Sequence, residues 1–384
     1  MSLRRFIPQK DTTIVAAIPG CGETNYGKDE ILELGKALES STTGSARILM
    51  QFAQEDLASI ASFVGEHNYR AKLHLSIANA LNIPERLEIV GTPIAEYWEE
   101  GFGKAAEEGN MLGATWTYRM PGVPWFHPGN SNGTYDGEEV IQEGEIYERN
   151  GGLADTLEFS TIIDGGNASL GSEVAVDKSG YRAMYDINLD ITDLVRYWTV
   201  AALENYGIML FVRDGDYWAE EYGTHISIFS ADTHTIYQPY LEIEWDDSEF
   251  NPSVPALNDR FKVVASNLQA EYTNTDEIRF NLEAKNLYPS RVFSTSSLYN
   301  PSYVLPKNSL WGIKDEYTNE MTIPFDETYT KVSAKENQSY FNLDMNMLYP
   351  ERYYRILLKV PTASGDRVVD NKIIFKVIRN GRIC

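Results

Sequence analysis

The chain has 384 residues, 43% of them hydrophobic, two cysteines and a formal net charge of −23. That length accommodates two domains with a core each, and no apolar run approaches the roughly 20 residues of a membrane helix. The polyanionic balance argues against nucleic acid or anionic lipid as a partner.

Met-Ser-Leu-Arg-Arg-Phe-Ile-Pro opens with two arginines and no apolar stretch behind them, so no secretory signal is expected. Cys21 sits in a loop-like segment and Cys384 at the end of the sequence, which predicts neither a disulfide framework nor a thiolate metal site. A reducing compartment follows. The charge is uneven. Residues 250–384 hold 17 basic and 15 acidic side chains, whereas the first 249 carry 16 basic against 41 acidic. Such acidity keeps a large surface soluble, and it also draws divalent cations or a basic partner patch.

In chain order, "GCGETNYGK" (20–28) has a Gly-x-Gly but not the phosphate-loop spacing, and it precedes a strand instead of opening a helix. It reads as a loop. "ARILMQF" (46–52), "AKLHLSIANA" (71–80) and "RLEIVGTPI" (86–94) read as strands, with "EDLASIASFV" between the first two as a helix. "TLEFSTII", "AMYDINLDI", "YGIMLFVR", "HISIFSA" and "YLEIEW" continue the strand series to residue 245. Strands at short intervals without alternating helices exclude a parallel α/β sheet and predict two packed antiparallel layers.

The segment 185–210 is the exception. Tyr185, Ile187, Leu189 and Ile191 alternate inward, and Thr192 or Asp190 can then cap a helical turn. Leu194, Val195 and Trp198 fall on one side of that turn and predict a plug closing one end of a sandwich. Asn205 and Gly207 suit a tight reversal into the buried strand "IMLFV".

"EWDDSEFNPSVPALNDRF" is a linker by its prolines and small polar residues, placing a boundary between domains 1–249 and 250–384. Beyond it, "RFKVVASN", "EIRFNLEAKNL", "SYFNLDMNML", "YYRILLKV" and "NKIIFKVIRNG" suit an immunoglobulin-like sandwich without its cysteines.

Catalytic signatures are not found: there is no His-Glu-x-x-His, and "NASLG" has Asn167 where a nucleophile elbow needs glycine. The five histidines are scattered. Acid pairs such as Glu99/Glu100 and Glu220/Glu221 point to opposite faces of a strand and read as solvated surface. Two loops are rich in aromatics. One places Trp125, His127 and Tyr135 among turn formers; the other has Tyr217, Trp218 and Tyr222 beside Asp214 and Asp216. These rings suit stacking on a sugar, anchoring a protein partner, or holding a loop down. Asp214, Asp216 and Glu220 form a candidate calcium set by their hard oxygen ligands. No other cofactor is implied.

The order strand, "DITDLVRYW", Asn-Tyr-Gly, buried strand resembles the C-terminal half of the DNRLRE-type domain, a jelly-roll sandwich. "KDTTIVAAIPGCGETNYGKDEILELG" is similar to that family's "aDt…NyG…l.vG" opening, and "ARILMQF" to its "rsLlrFdl" strand. "YRAKLHLSIANA", "EYWEEGFG" with "GATWTYR", and "IYQPYLEIEW" match further pieces in order, over roughly residues 10–246. Residues 120–150 depart from the pattern by length and by their glycine, proline and asparagine content. The resemblance implies an all-β chain: a jelly-roll sandwich with short capping helices, then the immunoglobulin-like sandwich. It further implies a non-enzymatic structural component of a tailed-bacteriophage virion, in the neck, tail or fibre attachment. Such a protein is made in the host cytoplasm and contacts other virion proteins and copies of itself, with no nucleic acid bound and no membrane inserted. The alternative is a glycan-binding module on a virion or cell surface; a polysaccharide-cleaving enzyme would need two acids converging in a cleft.

Overall fold

The computed structural model describes residues 2–15, 24–36, 46–65, 67–81, 87–94, 96–104, 112–125, 159–163, 175–176, 182–183, 186–212, 224–257, 260–287 and 303–380. The architecture is all-β, with two α-helices among the described residues, as the strand grammar predicts.

The first module is one long curled sheet. Its first half runs β1 (Leu3–Phe6), β15 (Tyr240–Trp245), β5 (Tyr69–Leu81), with β12 (Asp186–Asp190) also paired to β5. The second half continues through β14 (Thr224–Phe229), β3 (Ile31–Lys36), β4 (Ala46–Gln51), β13 (Ile208–Val212), β6 (Leu87–Pro93) and β9 (Phe159–Ile163), with β2 (Lys10–Val15) on β4. The 13-residue β5 makes the curl. Its residues 69–74 pair with β15 and its far end with β14, where the register slips between Ser227 and Ile228. A long strand shared this way turns the sheet back on itself, so that alternate side chains of both halves meet in one core. Two short hairpins lie apart from it: β7 (Tyr118–Met120) with β8 (Val123–Pro124), and β10 (Ala175–Val176) with β11 (Arg182–Ala183).

The core also takes in both helices, α1 (Gln54–Val64) through Leu57, Ile60 and Val64, and α2 (Thr192–Thr199) through Leu194, Val195 and Trp198. The two helices pack on each other. The N-cap position is Ile191, so neither Asp190 nor Thr192 occupies it; Asp190, one residue ahead, accepts the Thr192 backbone N–H at 3.0 Å and its hydroxyl at 2.5 Å. Thr192 instead ties the helix to the sheet, because its Oγ1 accepts the Ala71 backbone N–H at 2.9 Å and fastens α2 to β5.

The apolar run "IMLFV" is buried throughout, and the reason is that it has a core on each side. Ile208, Leu210 and Val212 face the main core, while Met209 and Phe211 join a second cluster with Leu49, Val90, Trp98, Trp116 and Trp125. A strand covered on both faces loses the alternation of a half-exposed one. Gly207 (φ 99°) precedes it because a Cβ there would stand 2.2 Å from the Met50 carbonyl oxygen.

The second module stacks two five-stranded sheets. One is β16 (Phe250–Pro252), β22 (Ser333–Glu336), β23 (Gln338–Asp344), β19 (Glu277–Asn286) and β17 (Phe261–Ala265). The other is β18 (Glu271–Thr273), β25 (Gly365–Ile378), β24 (Arg352–Thr362), β20 (Leu310–Asp315) and β21 (Met321–Ile323). Aromatic rings fill the space between them. Trp311 stacks on Phe341 at 4.6 Å, Phe341 on Phe280 at 5.2 Å, and Tyr272 meets Phe375 edge-on at 5.6 Å.

Candidate functional site: the junction between the modules

The two modules share β1. Its backbone pairs with β15 of the first sheet, Leu3 opposite Glu244, yet the Leu3 side chain is fully buried in the core of the second module. Ser2 donates its hydroxyl to the Tyr329 carbonyl at 3.0 Å, while its own carbonyl accepts the Trp245 N–H at 2.9 Å.

Arg5 is the centre of the junction. Its Nε donates to Glu242 Oε2 at 2.7 Å, a terminal N–H donates to the Thr322 carbonyl at 3.0 Å, and the guanidinium lies 4.4 Å over the Tyr240 ring. His74 stacks on Tyr240 at 4.7 Å and brings Nε2 to 3.4 Å from Glu242 Oε1. Burial works to raise the Glu242 pKa, but the Arg5 charge and the polar contacts of His74 and Arg5 outweigh it and hold the carboxyl down at about 2. Arg4 stands over the Phe63 ring and within 4.0 Å of Glu277 and Asp344. From the other side, the Tyr349 hydroxyl donates to Gln238 Oε1 at 2.7 Å and reaches the Thr235 carbonyl at 3.0 Å. Lys331 pairs with Asp246 at 2.5 Å.

Beside this junction runs a half-open cleft of about 1040 Å³, walled by both modules. Tyr237, Tyr240 and Tyr349 line it together with Asn188 and His74. Ion pairs account for much of its charge: the lining cations Arg5, Lys72 and Arg4 pair with Glu242, with Glu244, and with Glu277 and Asp344, and the lining Asp315 pairs with Arg352.

A second polar cluster lies within the first module. Carboxylate oxygens of Asp11, Glu100 and Asp232 all fall within 4.8 Å of one another. Lys28 supplies the cation: its ammonium donates to Glu100 at 2.6 Å and to Asp232 at 3.0 Å. Asp11 is 1% exposed, and burial pushes its pKa up to about 7, against the Ala231 N–H that donates to it at 2.7 Å. These oxygens suit a hard divalent cation by type; the chain's own ammonium already neutralises two of them. The sequence does not signal this group, because its members are far apart in the chain and Glu100 looks like half of a surface acid pair.

Of the residues singled out in sequence, Leu194, Val195 and Trp198 lie in the main core and Thr192 at its rim. Trp125 is among the rings suited to a sugar, to a protein partner or to holding a loop down, and its burial fits the last and not the glycan or partner contact: it is 4% exposed and packed in the second cluster with Trp98 and Trp116, its indole N–H donating to the Thr115 carbonyl at 3.1 Å. The outer face of β13 needs a cover, and Trp125 is part of it. His127, Tyr135, Asp214, Asp216, Tyr217, Trp218, Glu220 and Tyr222 lie outside the described residues.

No family model matches the chain, and no curated protein matches it. Among solved structures, a DUF4785 family protein from Legionella pneumophila aligns over 97% of this chain and 66% of its own, at 9% identity and a TM-score of 0.18. A β-glucuronidase from Parabacteroides merdae aligns over 97% of this chain and 35% of its own, at 10% identity and a TM-score of 0.17. Likenesses of this order carry no argument about fold or activity.

Proposed function

We propose that the chain is a non-enzymatic structural component of a tailed-bacteriophage virion, in the neck, tail or fibre attachment, acting through contacts with other virion proteins and with copies of itself. The observation that carries this reading is β1, whose backbone belongs to one module and whose Leu3 belongs to the core of the other. Two sandwiches joined by a shared strand and a buried Arg5–Glu242 pair make a stiff bracket, which suits a protein that transmits position instead of turning over substrate. The sequence resemblance to DNRLRE-type domains supports the virion setting, and the acidic first module suits a basic neighbour. Synthesis in the host cytoplasm and incorporation into the particle follow from the same reading.

Mass spectrometry of gradient-purified particles tests it. The chain is expected in intact particles at a copy number matching a symmetric ring or fibre set. Its absence from particles, with abundance in the infected-cell lysate, would refute the proposal.

A further inference from the structure

The cleft between the modules has the features of a docking groove for a particular kind of chain. Its volume of about 1040 Å³ exceeds what a single small ligand fills, and it is half-open to solvent. Tyrosine rings and asparagine amides line it, among them Tyr237, Tyr349, Asn188 and Asn346. Rigid rings with adaptable amides are the mixture that protein-binding surfaces use to gain contact area at low entropic cost. Both walls are held by the β1 staple, so little ordering remains to be done on binding.

Charge selects the occupant. The three cations that line the cleft are each paired, Arg5 with Glu242, Lys72 with Glu244 and Arg4 with Glu277 and Asp344, and Asp315 is met from outside the lining by Arg352, but Asp56 on α1 and Glu320 just before β21 border the cleft with no ion pair among the described residues. Burial and the neighbouring Glu55 already press the Asp56 pKa upward, the response of a carboxylate lacking a cation. One acid stands on each module, within a chain whose first module carries 41 acidic against 16 basic residues.

We propose that this cleft seats an extended, Lys- or Arg-bearing polypeptide segment of a neighbouring protein, its cations reaching Asp56 and Glu320 and its backbone reading the asparagine amides. The inference rests on the assembly reading above and names the chemistry of the partner. An acidic segment is repelled, and a neutral glycan meets the two carboxylates only as hydrogen-bond acceptors, without neutralising them.

Fluorescence anisotropy on the full chain at 0.15 M salt, with fluorescein-labelled (Gly-Ser-Lys)4 and (Gly-Ser-Glu)4 as probes, is the deciding experiment. The lysine probe is expected to bind and the glutamate probe not to. The double variant Asp56→Asn, Glu320→Gln is expected to weaken the lysine probe at least about tenfold, while Glu30→Gln with Glu204→Gln, two exposed acids of the first module outside the cleft, leaves it nearly unchanged. Circular dichroism confirms that both variants fold. Equal weakening by the two doubles would reduce the effect to general surface charge and overturn the proposal. So would no binding of the lysine probe, or its displacement by laminarin, which would assign the cleft to a glycan. These results concern the isolated chain, so they fail separately from the virion reading, which fails by absence from particles.

Discussion

Trp198 shows how much one side chain does in the first module. It is 1% exposed among strands from both halves of the curled sheet, and its indole N–H has no acceptor among the described residues. What it contributes is therefore volume. Trp198→Ala is expected to cost about 3–5 kcal/mol, as aromatic-to-alanine core truncations do, and Trp198→Phe distinctly less, because a ring is kept and an unmet donor removed. Urea unfolding followed by circular dichroism reads both. Asp11 makes a prediction of a different kind. Its pKa rises from 3.8 to about 7 on folding, so the folded state holds the proton more tightly than the unfolded chain. That contribution is complete below pH 3.8 and is lost as pH climbs through 7. Asparagine keeps an oxygen for the Ala231 N–H and never ionises. Asp11→Asn should match wild type near pH 4 and exceed it above pH 7 by on the order of 4 kcal/mol, measured by denaturant melts across that range. A gap that is constant with pH would contradict the assignment.

Among the elements, the one with the largest consequences is the four-residue β1. Its residues do not announce this. "LRRF" is too short and too charged to show a period, and Leu3 finds its core partners in the second module, far along the chain. Other elements are legible. The alternation Ile187, Leu189, Ile191 and the run of Leu194, Val195 and Trp198 at helical spacing carry their burial in their order, because local periodicity and a single core decide them. "IMLFV" is legible as buried, but not as serving two cores, since no pattern within a strand tells which element covers its far face. For that reason Trp125 keeps three readings in the sequence, and only the packing selects among them. The carboxylates of Asp11, Glu100 and Asp232 are brought together by pairing of distant segments, which no local spacing encodes. The staple itself can be tested. Removal of residues 1–6, or Arg5→Ala, leaves Glu242 buried without its cation, at a cost of about 3–5 kcal/mol. Differential scanning calorimetry should show one cooperative transition for the full chain and two for the truncated one. A single unchanged transition after truncation would mean that the modules are held by other contacts.

At the scale of the whole molecule, the two sandwiches divide the labour. The first carries all of the excess negative charge, and the second is close to neutral, with 17 basic and 15 acidic residues. Like-charged faces do not meet, so copies arranged around an axis are expected to place first modules apart and to use other surfaces, or an intervening basic protein, for contact. The β1 staple and the Tyr349 and Lys331 bonds fix the angle between the modules, so that angle is a property of the chain before assembly. Cryo-electron microscopy of purified particles, to a resolution that traces strands, measures this most directly. It is predicted to find both modules in every copy, in the relative orientation set by Leu3 and Arg5, with the cleft against a neighbouring chain. Particles without density for this chain, or with its modules splayed at varying angles, would contradict it.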